Sequence, residues 1–165
     1  MPGLSLSDAG RVEAARLAGL PVQAVVCSPQ PRARQTAAAI GAPMEVDPAW
    51  DEVDFGAWAG MAFADLEPDP AWRLWNSARS LAPTPGGETM LQVQARAVAG
   101  LLALRRYEAV AVVSHLDVLR AVLAHVLGMP LDALFRLHLA PASRSVVALW
   151  EGGARVEGLN LPTWT

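Results

Sequence analysis

The chain has 165 residues, 53% of them hydrophobic and 18% charged, with a formal net charge of −3. That length fits one domain, and the composition is too apolar for a disordered chain and too acidic for a usual nucleic-acid binder. All thirteen basic residues are arginine and Cys27 is the only cysteine, which excludes Schiff-base lysine chemistry, a lysine-bearing phosphate loop, an intrachain disulfide and a cysteine zinc site.

Ser7 has the chemistry of an N-cap, Asp8 sits in the first turn and Gly19 follows, so a helix is expected over 8–18. The valine-rich run 22–27 reads as a buried strand, 32–40 as a helix ended by Gly41, and 44–46 as a short strand. Residues 48–60, rich in Trp, Asp and Gly, read as a functional loop. Pro68, Pro70, Pro83 and Pro85 limit 61–85 to short helical turns at best. Met90, Val93, Ala97, Leu101 and Leu104 recur at helical spacing, so 89–106 is expected to be a long amphipathic helix. A second buried strand is expected at 109–114, helices at 116–127 and 131–137, and a hairpin of 145–150 with 154–159 around Gly152-Gly153. Strands alternating with helices imply one layered α/β domain over 1–165. No apolar run reaches the ~18 residues of a membrane span, and the N-terminus carries no secretory pattern, so a cytoplasmic protein without a membrane partner is expected.

Three polar residues stand where phosphate chemistry would put them. Arg32 opens a helix after a strand that ends in Ser28-Pro29. Backbone N–H groups at such a junction attract anions, and a guanidinium adds a fork suited to phosphate oxygens. His115 follows the second strand at a similar junction, where it could donate to a phosphate oxygen or act as a base. Glu52, between Trp50 and Phe55, could be held protonated by partial desolvation and serve as an acid. Taken singly, each has a plainer reading: a solvated arginine, a structural histidine, a surface carboxylate among Asp47, Asp51 and Asp54. Trp50, Trp58, Trp72 and Trp75 read as packing residues, His125 and His138 as parts of helical patterns, and Gly86-Gly87-Glu88 as a turn before a helix.

The ordered set changes that balance. Ser28-Pro29-x-x-Arg32-Ala33-x-Gln35-Thr36-Ala37, Glu52-x-x-Phe55-Gly56-x-Trp58-x-Gly60, Pro85-Gly86-Gly87-Glu88-Thr89 and Val113-Ser114-His115 together resemble the histidine phosphatase superfamily. Leu6-Ser7-x-x-Gly10 resembles its first helix start. The resemblance spans nearly the whole chain. It implies a phosphoglycerate mutase-like three-layer α/β sandwich, with a mostly parallel sheet flanked by helices and the pocket at the strand ends. It implies that Arg32 and His115, with Ser28, hold the phosphoryl group, that Glu52 is the proton donor, and that neither a metal nor a cofactor is required. Glu88 would wall the pocket.

Two departures stand out. The family's nucleophile is a histidine in an Arg-His-Gly motif ending the first strand, and that motif is absent here; the histidines are His115, His125 and His138. Met1-Pro2-Gly3-Leu4 resembles the loop that follows the motif. Either the chain starts late or it is a relative without the nucleophile; the retention of Arg32, Glu52 and His115 favours the first. In both cases strand edges beside 22–27 and 110–114 are expected to lack partners, to be filled by another segment or chain, or else to leave the polypeptide poorly folded. Leu116-Asp117 replaces the family's usual Gly-Gly. Leu116 narrows the approach to His115, and Asp117 could raise its pKa or repel an anion, which weakens a doubly phosphorylated substrate. The expected activity is hydrolysis of a small phosphomonoester, in the alpha-ribazole and broad-specificity branch. The alternatives are a non-catalytic phosphate-ligand module and a phosphoglycerate mutase. Exposed edges and Trp-rich segments are compatible with a homodimer.

Overall fold

Valine and alanine at 24–27 and 110–113 leave no polar side chain to face water, so both runs need cover on two faces. In the computed structural model, which describes residues 3–162, they pair as parallel strands β1 (Ala24–Cys27) and β3 (Val110–Val113). Strand β2 (Met44–Val46) lies on the other side of β1, giving the order β2-β1-β3. Val25 stands opposite both Met44 and Ala111. Val25 and Cys27 are buried with Leu17, Ala37 and Ile40, whereas Val26 belongs to the larger core of Trp50, Met90, Val93, Val118 and Leu134. The strand's two-residue period thus divides its side chains between two helical layers. Helices α1 (Asp8–Ala15) and α2 (Pro31–Ile40) supply one layer. The chain next passes through the short helix α3 (Phe63–Leu66) and α4 (Pro70–Ser77), and then α5 (Met90–Ala103) and α6 (Leu116–Val126) supply the other layer. The result is an α/β fold with a parallel sheet flanked by helices, and an antiparallel hairpin of β4 (Arg144–Trp150) and β5 (Gly153–Leu161) closes the chain.

The caps explain most boundaries. Ser7 Oγ accepts from the Gly10 amide at 3.1 Å, Thr89 and Gln92 form a capping box, and Gly41 ends α2 at φ 87°. Four expectations need correction. Among the described residues the unpaired edge expected beside 22–27 is absent, because β1 pairs with β2 on one side and with β3 on the other. Helix α1 stops at Ala15, short of 18. Residues Leu131–Arg136 are 3-10 rather than α. The segment 61–85 holds a full two-turn helix, α4, because Asp69 caps it through the Ala71 amide at 2.8 Å and Pro70 occupies the first turn, where its missing N–H costs nothing. Met1 and Pro2 of the expected post-motif loop lie outside the described residues. No helix among the described residues is long and apolar enough to cross a membrane.

Strand β3 is only half-buried along its length, unlike fully buried β1. The Val113 carbonyl accepts from the Ser28 amide at 3.0 Å, so odd-numbered peptide groups of β3 face β1 and those of Val110 and Val112 face away. Among the described residues no strand pairs on that side, and β4 pairs only with β5. A cavity of about 1050 Å³ separates the two edges, lined by Val112, Leu119, Leu123 and Val147 among others. A single extended segment there would join both sheets. By hydrogen exchange, the Val112 amide is expected to exchange at least about tenfold faster than that of Val26, which lies in the sheet interior; equal protection would mean that the edge is closed.

Candidate active site

The loops after β1 and β3 both run into helices with no side-chain cap. Gln30 precedes α2 and His115 precedes α6, and neither makes a capping hydrogen bond. The first-turn amides of α6 therefore stay without a side-chain partner, on the side of the sheet where α2 also begins and where the field favours an anion. The side chains of Arg32, His115, Glu52 and Ser28 converge there.

Arg32 Nη2 lies 3.0 Å from His115 Nδ1 and 3.3 Å from Glu52 Oε2, and Nδ1 lies 3.4 Å from the same carboxylate oxygen. The other ring nitrogen, Nε2, is 2.8 Å from Ser28 Oγ. Ser28 is fully buried; its hydroxyl donates to Asp51 Oδ1 at 3.0 Å and accepts from the Gln30 amide at 3.1 Å. With its one proton committed to Asp51, the hydroxyl can only accept from the ring. The network therefore sets histidine as the Nε2–H tautomer, with the Nδ1 lone pair turned toward Arg32. Burial, then the Arg32 charge, push the His115 pKa down to about 4, so the ring is neutral at pH 7. Burial is also the main influence on Glu52 and raises its carboxyl above the ordinary range, against the opposing pull of the Val53 amide and Arg32.

Two groups to which the sequence assigns no site role, Asp51 and Arg96, hold this arrangement. Asp51 Oδ1 accepts from Ser28 Oγ, from Gln30 Nε2 at 3.0 Å and from the Glu52 amide at 2.8 Å. Arg96 on α5 donates to the carbonyls of Ala49 at 2.9 Å, Asp51 at 2.8 Å and Glu52 at 3.1 Å, and forks onto Glu88 at 2.7 and 2.9 Å. Glu88 in turn accepts from the Asp54 amide at 3.0 Å. Glu88 thus braces the loop that carries Glu52 from behind. The same loop crosses 85–88 backbone to backbone: the Ala57 amide donates to Pro85 and the Glu88 amide to Asp54. A side chain on Gly56 would strike the Pro85 carbonyl, and one on Gly87 the Asp54 carbonyl. The glycine pair of the sequence motif is a crossing point. Nothing in the spacing of Arg96 from Glu52 could have shown the contact, although an arginine inside an otherwise apolar helix face was a cue.

Asp117 turns from the histidine to Arg79, at 2.7 Å, and Arg120, at 3.4 Å. Arg79 is itself stacked 3.7 Å over Trp75. Asp117 acts electrostatically on Glu52, helping to raise its carboxyl. Asp51 rather than Asp117 is the carboxylate that pulls the His115 pKa upward, and burial and Arg32 outweigh it. Leu116 is 45% exposed at the start of α6. Beside Arg32 and Glu52 a second cavity of about 680 Å³ runs between Phe55, Trp58, Met61, Phe63 and Trp72. His125 and His138 are exposed, and neither lines this cavity.

The family model described as the histidine phosphatase superfamily (branch 1) matches residues 2–162. The "Bifunctional protein Rv2228c" of Mycobacterium tuberculosis is 36% identical over 142 residues, covering 81% of this chain and 39% of that protein. The chain therefore spans about two fifths of the length of that curated relative. The "Adenosylcobalamin/alpha-ribazole phosphatase" of Escherichia coli is 28% identical over 153 residues, covering 87% of this chain and 75% of that protein. Among solved structures, the mycobacterial glucosyl-3-phosphoglycerate phosphatase Rv2419c with VO3 superposes with a TM-score of 0.81 at 27% identity, covering 98% of this chain and 90% of that one.

Arg96→Lys removes the fork that reaches three carbonyls, and thermal unfolding is expected to report a loss of about 2 kcal/mol. The histidine carries a pH signature. Its pKa is depressed to about 4 from 6.5, so the unfolded chain binds more protons in that window and stability falls as pH drops from 6.5 toward 4. The loss attributable to the ring is about 3 kcal/mol. Raised Glu52 contributes with the opposite sign, its stabilising share being lost as pH rises through its folded pKa. Comparing Tm against pH for the chain and for His115→Gln isolates the ring, and the variant should lack the 4–6.5 slope.

Proposed function

The chain belongs to the histidine phosphatase superfamily, and from that premise we propose that it hydrolyses a small phosphomonoester through a phosphohistidine intermediate. The observation that carries this reading is the convergence of Arg32, His115 and Glu52 from three distant segments on one spot beside the starts of α2 and α6. The relatives from Escherichia coli and mycobacteria are phosphatases by name, in agreement with it.

A phosphate dianion entering this spot draws the Arg32 guanidinium from Glu52 onto its oxygens. It also favours protonation of His115 at Nδ1, so that the ring donates to a phosphate oxygen. Glu52, already biased toward its acid form by burial, is biased further by the nearby anion. The nucleophile in this proposal is a histidine on a strand seated against the open edge of β3; the cavity between β3 and β4 and the family's Arg-His-Gly motif support that placement. Its ring nitrogen attacks phosphorus in line, the P–O bond to the alcohol breaks, and Glu52 gives its proton to the leaving oxygen. Water then attacks the phosphohistidine, Glu52 takes a proton from it, and inorganic phosphate leaves. Arg32 and His115 supply the positive charge throughout. Cytoplasmic residence agrees with the buried free thiol of Cys27.

The test is complementation. p-Nitrophenyl phosphate is offered to the 165-residue chain with and without a synthetic extended apolar peptide ending in Arg-His-Gly. Turnover is expected only with the peptide, is lost when the peptide histidine becomes alanine, and falls about 10²–10⁴-fold in Glu52→Gln. Rapid turnover by the chain alone would refute the proposal. Phosphate binding without turnover in the complemented form would select the non-catalytic phosphate-ligand module, and exchange between 2- and 3-phosphoglycerate the mutase.

A further inference from the structure

The cavity beside Arg32 and Glu52 has two chemically different ends. One end holds the polar groups: Arg32, Glu52, Asp51, Gln30 and Asp54. The rest of its wall is apolar, with Phe55, Trp58, Met61, Phe63, Leu66 and Trp72. Resting on the phosphatase reading, we propose that the alcohol released is a bulky, uncharged, aryl or otherwise apolar one, and that this wall selects it.

Size comes first. The cavity holds about 680 Å³, well within the roughly 300–1,000 Å³ of small-molecule sites and far more than a phosphate group needs. The second point is charge. Among the described residues Arg32 is the only cation lining the cavity, while Asp51, Glu52 and Asp54 are acids. A phosphoryl group engages Arg32, so a carboxylate or second phosphate on the leaving group would meet carboxylates with no cation to offset them. The third point is hydrogen bonding. Trp58 carries a polar atom on the apolar wall, but its Nε1 already donates to Asp69 Oδ2 at 3.1 Å. Gln30 and Asp51 at the polar end are engaged with each other and with Ser28. Trp72 adds one indole N–H, so sugar hydroxyls entering this wall would lose more water than the wall replaces, whereas an aryl group would not.

The wall's geometry suits an aromatic guest. Trp58 meets Trp72 edge to face at 5.2 Å, and Trp72 stacks on Trp75 at 5.4 Å, so the array is fixed from behind. At the rim, Phe63 is 79% exposed and Met61 44% exposed, both apolar and both facing the cavity. A guest covering them removes apolar surface from water, the step that favours binding.

The experiment measures affinity of the 165-residue chain for four probes by calorimetry: 1-naphthyl phosphate, glycerol 1-phosphate, 3-phosphoglycerate and inorganic phosphate. Naphthyl phosphate is expected to bind about tenfold tighter than inorganic phosphate, glycerol phosphate no tighter, and 3-phosphoglycerate more weakly. Phe63→Ser and Met61→Ser change exposed side chains and spare the core. Each is expected to lower the ratio of naphthyl phosphate to phosphate affinity about threefold. Equal affinity for the four probes overturns the leaving-group assignment and leaves the phosphate site standing. An unchanged ratio in both rim variants places the aryl group elsewhere and also overturns it. Failure of every probe to bind, or naphthyl phosphate binding that survives Arg32→Ala, removes the phosphate site and this inference together.

Discussion

A chain of hydrogen bonds that can run in only one direction organises this molecule. It starts at Asp51, passes through the buried hydroxyl of Ser28 to His115, and ends at Arg32 and Glu52. A carboxylate accepts only, so the serine must donate to it and accept from the ring. The ring must then present a bare Nδ1 to the guanidinium. Each link comes from a different segment: the turn after β1, the loop after β2 and the junction after β3. The arrangement therefore exists only when the sheet and its helices are assembled, and it leaves a neutral imidazole where an incoming anion would favour a charged one.

Such a chain needs a rigid support, because the loop that carries Asp51 and Glu52 is otherwise two short 3-10 turns. Arg96 provides it by gathering three carbonyls of that loop while its remaining donors are met by Glu88. The crossing of Gly56 and Gly87 lets the two backbones touch directly. Side-chain charge and side-chain absence thus serve one end. The carboxyl of Glu52 is fixed against Arg32 and the ring, while the aromatic wall from Phe55 to Trp72 is left open beside it.

The sheet tells a related story about edges. β1, paired on both sides and buried on both faces, is the fixed reference from which Ser28 and Arg32 project. β3 has the same apolar composition but only one partner, and its valines remain half-buried beside the cavity that parts it from β4. An apolar strand with an unpaired edge is a template for another strand. In this chain that template leads to His115, so whatever pairs there arrives beside the cluster of His115, Arg32 and Glu52.

Local chemistry was legible along the chain. Ser7, Thr89 and Gly41 marked helix ends, the valine runs marked β1 and β3, and the ordered motifs singled out Arg32, Glu52 and His115, whose side chains meet in the fold. These features depend on neighbours within a few residues or on the order of motifs along the chain, which a linear reading captures. Helix α4 was understated because prolines were read as breakers, although one of them stood at a first turn. The contacts of Asp117 with Arg79, of Glu88 with Asp54 and of Arg96 with 49–52 were illegible because they span 38, 34 and 44–47 residues, and a charged side chain takes whichever opposite or accepting group packing brings within reach. The protonation of the ring belongs to the same class: composition names a histidine, but burial and an adjoining guanidinium, both products of assembly, decide that it is neutral.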